Sequence, residues 1–147
     1  MEAPDAHLHR ADPVLARLID DYGGPLPLEP DSHGRPDDLY GALVRAITGQ
    51  QLSVSAARAI WGRLIDRFGG RTPTPEEILA DDPDELRTAA GFSHAKVAYL
   101  RSLAEHVVSG ELNLDRLETL DDAAVTRELT AVKGIGEWSA HMFLLLT

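Results

Sequence analysis

The sequence predicts an all-α fold, a multi-helix bundle of short helices joined by tight turns. Apolar residues recur at helical spacing in one segment after another, and capping residues, prolines and glycines bound these segments. No stretch alternates between polar and apolar residues for long enough to form a strand. The chain has 147 residues, of which 44% are hydrophobic, enough for one core.

The first 36 residues are predicted to be separate from the rest. Residues 1–11 are polar and are expected to form a disordered leader. Asp12-Pro13 then starts a helix with an apolar stripe over residues 14–19, and Gly23-Gly24 ends it. Residues 23–36 are rich in proline and glycine and are expected to be a linker or an extended loop. The sequence is therefore predicted to divide into residues 1–36, which contain an N-terminal leader, a helix and a linker, and residues 37–147, which form the helical domain.

Two helices open the larger segment. Asp37 or Asp38 starts the first, which ends near Gly49, and Ser53 starts the second. Between them, Gln50-Gln51-Leu52 interrupts a strongly apolar region. The two glutamines indicate either an exposed loop with a binding role or a plain helix–helix corner in which one glutamine bonds free carbonyls.

Capping signals divide the remaining residues into further helices. Thr74-Pro75-Glu76-Glu77 and Asp82-Pro83-Asp84-Glu85 are predicted capping boxes, each before a short helix. A longer helix follows residues 91–96 and ends near Gly110, and Asp121 or Asp122 starts another.

That helix leads into a Gly-Ile-Gly turn, which a last helix follows. Glycine adopts positive φ without steric cost, and Ile135 between the two glycines can insert into the core. The free amides from Gly136 onward, at the positive end of a helix dipole, can bind a phosphate. The turn is thus either a hairpin that holds a nucleic-acid backbone without reading its sequence or an ordinary helix connection.

The charge distribution limits the electrostatic part of any such contact. The net charge is -10, but residues 37–71 carry five arginines and three aspartates. The arginines of this basic island are Arg45, Arg58, Arg63, Arg67 and Arg71. A solvated helix face is the favoured interpretation of them, so any DNA affinity is expected to be modest and to depend on backbone amides.

Trp138 is the most informative single side chain. It lies in the first turn of the helix after the hairpin, beside the proposed phosphate site, so it is either a core residue or a stacking surface for a base turned out of a duplex. His141 is expected to be a surface or packing residue. Cysteines are absent, the histidines are scattered, and no zinc site or nucleotide-binding loop is predicted. The polar N-terminus and the lack of a long apolar run predict a cytoplasmic protein.

Three strings together resemble the helix-hairpin-helix (HhH-GPD) DNA glycosylase superfamily, in particular its alkyladenine branch of DNA-3-methyladenine glycosylases. They are ITGQQLSVSAA at residues 47–57, GFSHAKVAYLRSLA at 91–104 and LTAVKGIGEWSAHMFLLL at 129–146. The resemblance implies base-excision repair of alkylated bases such as 3-methyladenine. Trp138 stands where bifunctional members place a nucleophilic lysine, which implies a monofunctional hydrolase.

The resemblance also assigns roles to particular residues. It implies a base pocket, a wedge that fills the gap left by a flipped nucleotide, phosphate contacts and backbone carbonyls that bind a structural Na⁺ or K⁺. No other cofactor is expected. The implied positions are Trp138 and Met142 for the pocket; Gln50, Gln51 and Leu52 for the inserted loop, with Gln51 as the wedge; Lys133, Gly134, Ile135 and Gly136 for the DNA backbone; and Thr130, Val132 and Ile135 for the cation.

One element of the family pattern has no match. The family motif ends with a Gly/Pro-rich loop and a catalytic aspartate beyond the post-hairpin helix, whereas this sequence stops at Thr147. The expectation is a C-terminally truncated glycosylase domain with an incomplete second lobe, inactive as it stands, whose aspartate lies beyond Thr147. Without those helices, the apolar stripe of residues 14–19 and the C-terminal helix would be exposed, which favours association.

The predicted partner is double-stranded DNA with alkylated or abasic sites, in the nucleoid of a bacterium. No membrane association is expected. The alternative from another class is a non-catalytic HhH module that binds damaged or intact duplex. A weaker third alternative is a helical protein–protein module with an incidental Gly-Ile-Gly turn.

Overall fold

The computed structural model describes residues 4–23 and 38–146. Within these residues the chain forms ten helices and no strand, which confirms the predicted all-α class. The helices are α1 (Pro4–Ala11), α2 (Pro13–Tyr22), α3 (Leu39–Gly49), α4 (Val54–Arg67), α5 (Pro75–Ala80), α6 (Pro83–Ala90), α7 (His94–Ser109), α8 (Leu114–Leu117), α9 (Asp122–Thr130) and α10 (Glu137–Leu146). Most of the linker predicted over residues 23–36 lies outside the described residues. The chain divides into two compact units, Met1–Arg35 and Pro36–Thr147.

The prediction of a disordered leader over residues 1–11 is wrong for residues 4–11, which form α1. Pro4 occupies the first helical position, Asp5 lies in the first turn, and His9 and Arg10 lie in the last turn. Each of these placements suits the helix dipole or the fixed φ of proline. A His9–Asp20 contact of 2.9 Å also joins α1 to α2. The residues that make the N-terminus polar are therefore also its helix signals.

The boundaries of α2 agree with the capping pattern. The Asp12 carboxylate accepts from the amides of Val14 and Leu15 at 2.7 and 3.1 Å, and Gly23 ends the helix at φ +84°. Val14, Leu15 and Leu18 are exposed within this unit.

In the second unit, α3 packs against α4, α7 and α10, while α9 packs on α10 and α5 on α7. Their apolar faces form one core, so α3 and α10 are held side by side although they come from opposite ends of the unit. The largest fully buried side chains are Leu43, Val44, Ile47, Leu64, Ile78, Leu86, Leu100, Leu103, Leu112, Leu129, Val132 and Thr48.

The capping predictions are confirmed at most positions. Asp38 caps α3 and Ser53 caps α4, and Thr74 forms a complete capping box with Glu77. Asp82 accepts from two amides of α6, whereas the Glu85 side chain lies 3.3 Å from Arg67.

Most arginines of the basic island are bound to acceptors within the chain. Arg67 makes a bidentate pair with Asp81, with both distances 2.7 Å. Arg71 donates to the Glu77 carboxylate. Arg63 Nε donates to the carbonyl of Ala90 at 3.0 Å, and the Arg45 guanidinium lies over the Trp61 ring at 5.9 Å. Arg58, Arg63 and Arg71 are exposed, as the predicted solvated face requires, whereas Arg45 and Arg67 are half-buried.

We expect Asp81→Asn to lower the free energy of unfolding at pH 7 by about 1–2 kcal/mol, because a partly buried, charged hydrogen-bonded pair is lost. The Arg67 guanidinium holds the pKa of the Asp81 carboxyl below its ordinary value. A carboxyl with a lowered pKa contributes stability that is fully present above its unfolded pKa of about 3.9 and is lost as the pH falls through the folded pKa.

Urea unfolding at pH 7 and at about pH 3 measures this difference, which should shrink on acidification. Asp84→Asn is the matched control, since it removes the same charge from a side chain that is 84% exposed. A deficit of equal size at both pH values would contradict the role of the Arg67–Asp81 pair.

Candidate nucleic-acid interface

The connection between α9 and α10 is a tight hairpin built on buried apolar residues. Val132 and Ile135 are both buried, and the amide of Ile135 donates to the carbonyl of Val132 at 3.1 Å. The Gly136 carbonyl then accepts from the amide of Ala140 at 3.0 Å, which starts α10. Ile135 anchors the turn in the core, as the sequence predicts.

The two glycines of the hairpin have different roles. Gly134 lies at φ +92°, and a Cβ atom added there would overlap the ring of Tyr99, which projects from α7. Gly136 does not have positive φ, and a Cβ atom there would meet open space. The close approach of the Gly134 backbone to the Tyr99 ring thus requires glycine at position 134, whereas position 136 has room for a Cβ atom.

The outer side of the hairpin presents backbone donors. Among the residues that the structure describes, no group accepts a hydrogen bond from the amides of Gly134 and Gly136. Such amides at the start of a ten-residue helix can bind an anionic oxygen. Lys133 is exposed beside them, but Glu137 is exposed in the first turn of α10, so the local net charge favours an anion only weakly.

The loop between α3 and α4 is bonded to this hairpin through Gln50. The Gln50 side-chain amide donates to the carbonyl of Gly134 at 2.9 Å and to Ser139 Oγ at 3.2 Å. Gln50 therefore matches the predicted helix–helix corner, in which one glutamine bonds a free carbonyl. Gln51 is exposed at φ +57°, the only non-glycine residue with positive φ in the described ranges, and Leu52 is exposed next to it.

A lysine holds the other side of the same loop. Lys96 Nζ, at the start of α7, donates to the carbonyl of Thr48 in the last turn of α3. Burial lowers the pKa of the Lys96 ammonium. Lys96, Ser139 and Tyr99 were not among the predicted site residues, because nothing in the local pattern indicates partners so distant in sequence.

Trp138 is 72% exposed, which excludes a core role in the unit that contains it. It directly precedes Ser139, the residue that Gln50 contacts, so the exposed ring is carried by the same first turn of α10 that meets the Gln50 side chain. Met142, one turn further along α10, is half-buried, and His141 is exposed. His141 lines an open groove of about 700 Å³ between α9 and α10.

The carbonyls predicted to bind a monovalent cation lie around the hairpin turn. The Val132 carbonyl accepts from Ile135, and no hydrogen bond within the described ranges reaches the carbonyls of Thr130 and Ile135. Carbonyl oxygens are suitable ligands for a hard cation. No group of three or more histidine, aspartate or glutamate side chains in the described residues is arranged to hold a metal ion, and none of the described helices has the length and apolarity to cross a membrane.

The fold and the turn together define a helix-hairpin-helix protein. The sequence profile described as "HhH-GPD superfamily base excision DNA repair protein" matches residues 44–144. The chain belongs to this superfamily, as its three motif strings predict.

Known relatives match over nearly the whole chain. DNA-3-methyladenine glycosylase 1 of Schizosaccharomyces pombe is 35% identical over 97% of this chain and 62% of its own length. The crystal structure of a Bacillus halodurans DNA-3-methyladenine glycosidase has a TM-score of 0.81 at 36% identity, covering 99% of this chain and 64% of that one. The S. pombe 3-methyladenine DNA glycosylase in complex with abasic DNA has a TM-score of 0.76 at 34% identity, covering 97% and 68%. This chain thus spans less than two thirds of the first two proteins.

Proposed function

We propose that this chain is the DNA-gripping and base-recognising part of an alkylbase DNA glycosylase, which turns an alkylated purine out of duplex DNA and hydrolyses its glycosidic bond. The observation that carries the proposal is the Gln50 contact, which places an exposed, strained loop against the hairpin beside exposed Trp138. The names of the relatives, DNA-3-methyladenine glycosylases, support it.

In this proposal the hairpin binds the DNA backbone. The amides of Gly134 and Gly136 donate to phosphate oxygens, and Lys133 adds one cation. Because the chain has a net charge of -10 and three of the five arginines of the basic island pair with carboxylates or carbonyls, few phosphates are neutralised. The salt dependence of binding should therefore be shallow.

The loop and the aromatic ring act on the base pairs. Gln51 enters the duplex and fills the gap, with Leu52 beside it, and the displaced base stacks on Trp138 near Met142. An alkylated purine such as 3-methyladenine carries positive charge, which the face of a tryptophan ring attracts. Exposure of the ring makes this face available to a base.

The chemistry needs only a stabilised sugar cation and water. The C1′–N bond breaks with the electron pair going to the cationic base, which leaves neutral; a water oxygen then bonds to C1′ and its proton is released. A carboxylate would stabilise the oxocarbenium-like sugar in between. No carboxylate among the 147 residues takes the position of the aspartate that completes the family motif.

Two further features belong to the proposal. The carbonyls of Thr130, Val132 and Ile135 bind a monovalent cation that rigidifies the turn. The exposed side of α10, where Leu145 is 62% exposed, associates with another apolar surface, which sedimentation velocity would detect.

Binding of labelled duplexes tests the proposal. We expect tighter binding to a duplex with a tetrahydrofuran abasic site than to the intact duplex. The affinity should fall only slowly as the salt concentration rises. If K⁺ fills the cation site, binding should be weaker in choline chloride than in KCl at equal ionic strength. Equal affinity for both duplexes would overturn the proposed damage recognition.

Measuring base release from methylated DNA distinguishes a glycosylase from a module that binds damaged DNA without catalysis. A second candidate, a non-catalytic HhH module for damaged DNA, needs only the hairpin and the exposed loop and predicts no release of a base. Release of 3-methyladenine would exclude the second candidate and show that a sufficient carboxylate lies within the 147 residues.

A further inference from the structure

We infer that Gln50 is a positioning residue, which joins the loop carrying Gln51 to the hairpin and so fixes the wedge relative to the phosphate-binding amides. This inference rests on the proposed function. It differs from a role for Gln50 in DNA contact, since the side chain acts through Gln51 without touching the duplex.

Gln50 has no donor left for DNA. A glutamine side chain carries two N–H donors on Nε2. The Gly134 carbonyl accepts one at 2.9 Å and Ser139 Oγ lies at 3.2 Å from the same nitrogen. The side chain is half-buried between α3 and α10, which pack against each other.

The backbone around Gln51 is held on both sides. Before it, the carbonyl of Thr48 accepts from Lys96, and the Thr48 hydroxyl donates to the carbonyl of Val44. After it, Ser53 caps α4 by accepting from the amide of Ala56. A non-glycine residue at positive φ, such as Gln51, persists only where the surrounding structure imposes that conformation. Among the contacts that hold this loop, the Gln50 contact is the one made with the hairpin.

Two consequences follow for recognition. The wedge and the phosphate grip form one rigid surface, so the preference for damaged over intact DNA depends on Gln50. Affinity for intact duplex, which needs only the hairpin, depends on it much less.

The test is a double-mutant cycle of Gln50→Met and Gln51→Ala. Methionine keeps the length and neutrality of glutamine but donates no hydrogen bond. We expect Q50M to lower the ratio of abasic-duplex to intact-duplex affinity by about tenfold, the scale of one to two lost hydrogen bonds, with intact-duplex affinity within about twofold of wild type. In the Q51A background, Q50M should have no further effect on that ratio, because the residue that it positions is gone.

The outcomes are distinguishable. If wild type shows the abasic preference and the two substitutions are additive, the positioning role is wrong while the proposed function stands. If wild type shows no preference, the proposed function fails and the inference fails with it. Should Q50M unfold, Ser139→Ala removes only one of the two acceptors and should lower the ratio in the same direction by a smaller factor; an unchanged ratio in a folded S139A chain would count against the inference.

Discussion

Gly134→Ala is expected to lower the free energy of unfolding by about 2–5 kcal/mol, one of the largest single effects in this chain. Two costs combine: an alanine at φ +92° is strained by about 1–2 kcal/mol, and its Cβ overlaps the Tyr99 ring, which must move at a cost of about 1–3 kcal/mol. Thermal or urea unfolding of the purified variant measures the loss. Affinity for any duplex should fall as well, because the hairpin shifts.

Gly136→Ala is the matched control for this prediction. It lies two residues away in the same hairpin, has ordinary φ and leaves open space around a Cβ atom. We expect its unfolding free energy to stay within about 0.5 kcal/mol of wild type. Equal stability of the two variants would show that neither the backbone conformation nor the Tyr99 contact constrains the hairpin.

Trp138→Ala is expected to weaken binding to a duplex with one 7-methylguanine by about 5- to 150-fold, which corresponds to the loss of one base–aromatic stack of about 1–3 kcal/mol. Affinity for an abasic duplex should change little, since no base remains to stack. Because Trp138 is 72% exposed, the free energy of unfolding should stay within about 0.5 kcal/mol of wild type.

The second tryptophan provides the control. Trp61 is partly buried against the core, with Arg45 over its ring. Trp61→Ala should therefore cost about 2 kcal/mol or more of stability and leave the relative affinities for the two duplexes unchanged. If Trp138→Ala lost stability and both affinities together, Trp138 would be a structural residue and the proposed stacking role would be wrong.

The sequence predicts the helices well because their signals are local. A capping side chain bonds an amide two or three residues ahead, as Asp12, Ser53 and Thr74 do, so the pattern contains both partners. The error at residues 4–11 has a related cause. Charged and histidine side chains there indicate solvent exposure, and an exposed helix and an exposed coil have similar composition.

The site is predictable only where the family motifs describe it. The motifs identify the hairpin, the two-glutamine loop and Trp138, but they do not distinguish Gly134 from Gly136 or Gln50 from Gln51. These distinctions come from Tyr99, Ser139 and Lys96, whose partners lie far away in the sequence. The arginines show the same limit, since Arg67 and Arg71 meet their carboxylates only after α5 and α6 fold back toward α4.

The Gln50–Gly134 hydrogen bond also has a consequence for the order of events during synthesis. Its two partners are separated by 84 positions, so the ribosome releases the loop long before it makes the hairpin. Until Gly134 and Ser139 emerge, the loop has no acceptors for the Gln50 amide and nothing on that side to impose the conformation of Gln51. The surface proposed to meet DNA is therefore completed only after the hairpin and the start of α10 have emerged, and a nascent chain that has already released the loop is still without it.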